Sequence, residues 1–195
     1  MKYLSAQLLN DLYNHTENTI NTVVTQWQQL PNIRMMTKPA PESWNAAQCL
    51  DHLNSYAAYY LPAMEKAIFN KKHNRPSLYF KSGWLGNYFY KLMLTNNNGQ
   101  AKKKMQSPKN HRPGIQVNVA DTLAAFISNQ ERLQKIIDAA GKIDLNKVRV
   151  PVSIAPFITI KLGDTLLFYT AHINRHLQQA QRAIDNTTVP LPGKK

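Results

Sequence analysis

Apolar residues return at helical spacing through four long stretches of this chain, and that period confines it to a helical fold. Across residues 5–30, Leu9, Leu12, Tyr13, Thr16, Ile20, Val23, Val24, Trp27 and Leu30 share a stripe, and Pro31 ends the pattern. A proline-rich linker, residues 37–43, leads into the second stretch, residues 45–71. There Asn45 caps the helix and Gln48, three residues on, completes a capping box. Tyr56, Tyr59 and Tyr60 continue it, and Pro62 predicts a kink or a division in two. The third stretch, residues 121–140, turns Leu123, Phe126, Ile127, Leu133, Ile136 and Ile137 inward and stops at Gly141. The fourth opens at Asp164, read as its cap, and runs to residue 184.

The intervening segments are less regular. Residues 78–94 are rich in aromatic side chains and predict one short helix, weakened by Gly83 and Gly86. Residues 96–118 combine turn residues, prolines and the run Lys102 to Lys104, and read as a long crossover loop. Residues 148–160 are β-branched and interrupted by Pro151 and Pro156, so they are extended or looped. The elements assemble into an all-α, up-down four-helix bundle with an irregular crossover and a short extra helix. At 195 residues the chain can bury a proper core, as one domain over residues 1–185 with a disordered tail, 186–195.

The chemistry concentrates on histidines. His172 and His176 are four residues apart in a stretch that nothing breaks. On an α-helix that spacing means roughly 40° in direction and about 6 Å in height, so both imidazoles can reach one ion. His52, on the second helix, is the best candidate for a third ligand. Three imidazoles with positions left open are the arrangement of catalytic rather than structural zinc, although nickel, copper and iron also suit imidazole. On spacing alone, such a histidine pair is more often a core-edge or surface feature. Gln48 and Gln179 lie within a turn of His52 and His176, where they either orient the imidazoles or serve as a cap and a solvated side chain. Tyr56 and Tyr59 either line a substrate pocket or pack against the first helix, and packing is favoured. Cys49, three residues before His52, reads as a buried small hydrophobe and is not assigned as a nucleophile. His15, His73 and His111 sit among polar residues and are expected at the surface.

The formal net charge of +13 favours acidic partners without defining a site. Lys102 to Lys104, Lys109, His111 and Arg112 cluster in the crossover, but no nucleic-acid motif accompanies them. A solvated loop, or a rim that attracts an anionic substrate, is the better reading. No run approaches the roughly 18 apolar residues of a membrane span, and no membrane partner is expected. The first residues lack the apolar stretch of a signal peptide, and one cysteine excludes an intrachain disulfide, so the cytoplasm is the default compartment.

Two segments also carry a family resemblance. Residues 44–53, with Trp44 followed by His52 and Leu53, resemble the Trp-then-His-Leu segment that opens helix two in the DinB/YfiT-like superfamily. Residues 172–180, with His172 and His176, resemble that family's closing HxxxH helix, and residues 107–113 are similar to the crossover of one subgroup. The resemblance spans residues 9–184 and implies a four-helix bundle that binds a divalent metal, zinc or nickel first, through His52, His172 and His176. It implies a small-molecule substrate, with some members transferring low-molecular-weight thiols and others classed as metal-dependent hydrolases of amides or esters. A homodimer and a non-catalytic stress-response bundle are left open. No glutamate adjoins a candidate ligand as in HExxH, and Asp51 points elsewhere on its helix, which tilts the expectation towards thiol transfer.

Overall fold

The four periodic stretches form four long helices. A computed structural model describes residues 1–69, 75–96, 100 and 106–187. Helix α1 (Ser5–Thr22) runs into a π-helical turn (Val23–Trp27), and a short α2 (Asn32–Met36) follows Pro31. Helix α3 (Ala46–Phe69), α4 (Trp84–Met93), α5 (Val119–Ala140) and α6 (Leu162–Asp185) complete the helices. Helix α3 packs on both α5 and α6, α1 packs on α5, and α4 lies against α6. Leu50, Leu53, Leu61, Met64, Leu133, Ile137, Tyr60 and Tyr169 fill the space between them, each under 2% exposed.

Local signals explain where these helices begin. The capping box forms as its spacing requires: Gln48 N donates to Asn45 Oδ1 at 2.8 Å, and Asn45 N donates to Gln48 Oε1 at 3.2 Å. Asn118 Oδ1 accepts from Asp121 N at the start of α5, and Gly141 follows its last residue. Pro62 does not divide α3, which continues unbroken to Phe69. A proline inside a helix costs about 3 kcal/mol. Here the flanking Leu61 and Met64 are fully buried and hold the helix through it.

Asp164 departs from the expectation. Helix α6 starts two residues earlier, and the Asp164 carboxylate turns away to accept from Ser82 Oγ at 2.5 Å and Gly83 N at 3.0 Å. It ties α6 to the start of α4 instead of capping its own helix. Gly86 is what lets the two helices meet, because a Cβ there would run into the Asp164 side chain. Alanine at an ordinary helical glycine stabilises by up to about 1 kcal/mol, whereas overpacking a core costs about 1–3 kcal/mol. Gly86→Ala is therefore expected to lower the thermal midpoint by several degrees, and a midpoint at or above wild type would contradict this packing.

Two small antiparallel ribbons join the bundle. Strand β1 (Lys2–Leu4) pairs with β2 (Tyr79–Lys81), and β3 (Arg149–Val152) pairs with β4 (Ala155–Lys161) around a bulge at Pro151/Val152. The extended reading of residues 148–160 resolves into that second hairpin, whereas β1–β2 was not anticipated. The crossover carries one 3-10 turn (Lys109–His111). Lys102 to Lys104, His73 and the last residues of the expected tail lie outside the described residues. Within that tail Thr187 is buried, its hydroxyl donating to Ala183 O.

Candidate metal centre

Helices α3 and α6 bring the three sequence-predicted histidines together in the core. His52, His172 and His176 are 2%, 4% and 8% exposed, and one ring nitrogen from each lies within 4.8 Å of the others. Ring centroids are 5.1 Å apart for His52–His172, 4.5 Å for His52–His176 and 4.7 Å for His172–His176. Among the described residues this is the one such group that could hold a metal ion, and it contains no carboxylate.

Hydrogen bonds assign the protons. His52 Nδ1 lies 2.6 Å from the backbone oxygen of His111, which can only accept, so the proton sits on Nδ1 and the Nε2 lone pair is free. His176 Nδ1 meets Gln179 Oε1 at 3.0 Å, which leaves its Nε2 free in the same way. His172 Nε2 faces His52 Nε2 at 3.2 Å, while its buried Nδ1 has no partner. In one tautomer, His172 donates to His52 and strands a bare Nδ1 acceptor. In the other, it strands an N–H and sets two lone pairs against each other. Either state leaves a buried polar atom unsatisfied. Zinc–nitrogen bonds of about 2.0–2.1 Å put neighbouring ligand nitrogens roughly 3–3.5 Å apart, so the 3.2 Å separation fits a shared divalent ion.

Burial also keeps these imidazoles neutral, as coordination requires. Loss of solvation pushes His52 down to about 4, only partly opposed by its bond to His111. Desolvation drives His172 and His176 well below the usual histidine range, and the neighbouring imidazoles and the half-buried Arg175 add to it. Arg175 donates to Leu92 O at 2.9 Å, which fixes its positive charge beside the cluster. Trp44 packs on His52 and His176, with ring centroids 4.8 and 5.8 Å away.

Other candidates fall differently. Gln48 does not bond His52; besides capping α3 it donates to Gly114 O at 3.0 Å. Asp51 accepts from Gly114 N at 2.9 Å, so α3 grips one crossover residue by both its N–H and its C=O. Cys49 is fully buried, and desolvation pushes its thiol up to about 12, in keeping with a core residue. Tyr56 packs against His52 and His172, at 4.9 and 4.3 Å between centroids, and Tyr59 sits edge-on to Tyr60.

Two surface expectations are corrected. His111 is 4% exposed: the 3-10 turn tucks its ring 4.0 Å from Tyr56, with Nδ1 3.1 Å from Ser55 Oγ. Its charged neighbours in sequence disguised a residue whose backbone orients His52. His15 is half-buried between α1 and α6, and burial lowers its pKa.

No curated protein and no solved structure matches the chain. The family model described as the DinB superfamily matches residues 15–180, from within α1 to beyond His176 in α6. That stretch takes in α3 and α5 whole, the second part of α1, most of α6 and all three clustered histidines, and the chain belongs to the DinB superfamily.

Proposed function

We propose that His52, His172 and His176 hold one divalent metal ion and that the protein uses it to activate a small thiol for transfer. The observation that carries this reading is the convergence of three buried, neutral imidazoles with no carboxylate among them. DinB superfamily proteins are often metal-binding, which supports the ligand assignment. Zinc or nickel suits three imidazoles best. A divalent ion in such a site lowers the pKa of a thiol or water bound to it and so supplies a nucleophile at neutral pH.

The surrounding residues favour a thiol over water. His111 O and Gln179 Oε1 hold the imidazole protons at Nδ1, so the Nε2 atoms stay available as donors. Arg175 keeps the surround positive, which favours an anionic thiolate. Asp51, the carboxylate adjacent to His52 in sequence, is engaged by Gly114 N and is not poised as a general base. Hydrolysis of an amide needs such a base, whereas a thiol has only its own proton to lose.

Cobalt substitution tests the reading. Titration of the cobalt form with glutathione, cysteine and other cellular thiols is expected to produce a thiolate charge-transfer band in the near ultraviolet. No spectral change with any thiol, together with chelator-sensitive ester or amide cleavage, would replace transferase with hydrolase. No change and no cleavage would leave a metal-binding protein without this chemistry.

A further inference from the structure

Helix α6 carries a second set of side chains on the face turned away from the histidine cluster. Asn174 and Gln178 each stand two residues beyond a candidate ligand, about 200° further round the helix than His172 and His176. With Leu177 they form one wall of a cavity of about 250 Å³ between α6 and α1. His15, Asn18 and the two end residues of the π-helical turn, Val23 and Trp27, line the other wall. Gln28 N donates to Val23 O at 2.9 Å, the i→i+5 bond of such a turn, and turns of this kind recur at functional sites. Gln181 accepts from Trp27 Nε1 at 3.0 Å and donates to Asp185, which fixes the indole as part of the wall.

Polar atoms on both walls lack partners within the protein. His15 Nε2, from α1, and Gln178 Oε1, from α6, are buried without a hydrogen bond. Leaving such atoms unpaired is costly, and each instance asks for a reason. A half-turn about the last side-chain bond carries either atom to the other side of its group, so both residues can offer the cavity a donor or an acceptor. Among the described residues no side chain of fixed charge lines the cavity, and burial lowers the pKa of His15, which keeps its imidazole neutral. An ionic ligand would find no counter-charge there.

We propose that this cavity binds a small neutral heterocycle with a donor and an acceptor side by side on its edge, as a nucleobase has. The carboxamides of Asn18, Asn174 and Gln178 each present an N–H beside a C=O, the pattern that pairs with such an edge. Val23 and Leu177 supply the apolar surface that the flat faces of the ring require. A sugar, with hydroxyls pointing in every direction, would call for polar groups all round. The volume equals that of about eight waters at about 30 Å³ each, room for a single ring system. The site is separate from the histidine cluster and does not rest on its metal.

The test is titration of the full chain with adenine, hypoxanthine and uracil, followed by calorimetry and thermal melts with and without chelator. At least one base is expected to bind with a Kd below about 0.2 mM. At about ten times that concentration it should raise the melting midpoint by about 3–6 °C, chelator or not. Gln178→Met and His15→Leu should each weaken the binding at least tenfold, with helical circular dichroism intact. Gln178→Met also removes a lone buried acceptor at constant size, so its ligand-free midpoint should rise by about 2 °C or more. A fall instead would make that carboxamide a structural support and overturn its role here. No base binding at the stated strength would overturn the proposal, as would binding that survives both variants. Binding abolished by chelator would place the base on the metal and overturn it too, and glucose or inositol binding more tightly than every base would overturn the heterocycle as the occupant.

Discussion

His176→Ala is expected to lower zinc or nickel affinity at least about 100-fold while the bundle still folds. Removing even a group that only orients a ligand histidine typically costs about 10–100-fold, so loss of one of three ligands costs more. The fold should survive because the imidazole is neutral and makes one side-chain hydrogen bond, to Gln179, so its removal strands no buried charge. Isothermal titration would give the affinity, and thermal melts with and without metal would show a stabilisation that the variant has lost. Unchanged binding in His176→Ala would remove the histidine cluster as the metal site.

A second large effect belongs to acidity. In the metal-free protein His52 stays neutral down to about 4, against an ordinary value of 6.5, and burial drives His172 and His176 well below the usual range too, with neighbouring imidazoles adding to it. The unfolded chain therefore takes up protons that the folded chain refuses. The stability from this neutrality is complete above about pH 6.5 and drains away as the pH falls towards 4. His52 alone accounts for about 3 kcal/mol over that window. His15 and His111 are lowered as well, so every histidine among the described residues acts in the same direction. Urea unfolding with chelator present should be markedly weaker at pH 5 than at pH 7.5. Equal stability at both would contradict neutral, buried imidazoles, and bound metal should be lost over the same interval because protons compete for the same nitrogens.

The parts of this molecule with a long period were legible in its sequence. Four helices, the Asn45 and Gln48 box, the short α4 and the alignment of His172 with His176 all follow from spacing that repeats over several turns. Features that depend on a few residues meeting across the chain were not. Strand β1 is three residues long and shows no alternation to read. Asp164 looked like a cap because its partners, Ser82 and Gly83, are far away in sequence. Gly86 looked like a helix weakness and is a close-packing site for the same distant reason. His111 was hidden by Lys109 and Arg112, whose charges describe the outer side of a three-residue turn and say nothing of its inner side. Pro108 and Pro113, which bracket it, were the available hint of a rigid turn.

The hydrogen bond from His52 to the backbone of residue 111 has a consequence for how this protein can vary. Its acceptor is a carbonyl that all twenty amino acids possess, so no single substitution at position 111 deletes it. Replacing the imidazole there gives up its packing on Tyr56 and its contact with Ser55, but the acceptor that sets the tautomer of His52 remains. What that acceptor depends on is the backbone path, which is secured from α3 by Gln48 and Asp51 on Gly114. Orientation of His52 is thus entrusted to two side chains that hold the crossover rather than bond the imidazole itself. A mutational scan would find that substitutions at 111 cost stability, while those at 48 and 51 also disturb the orientation of His52.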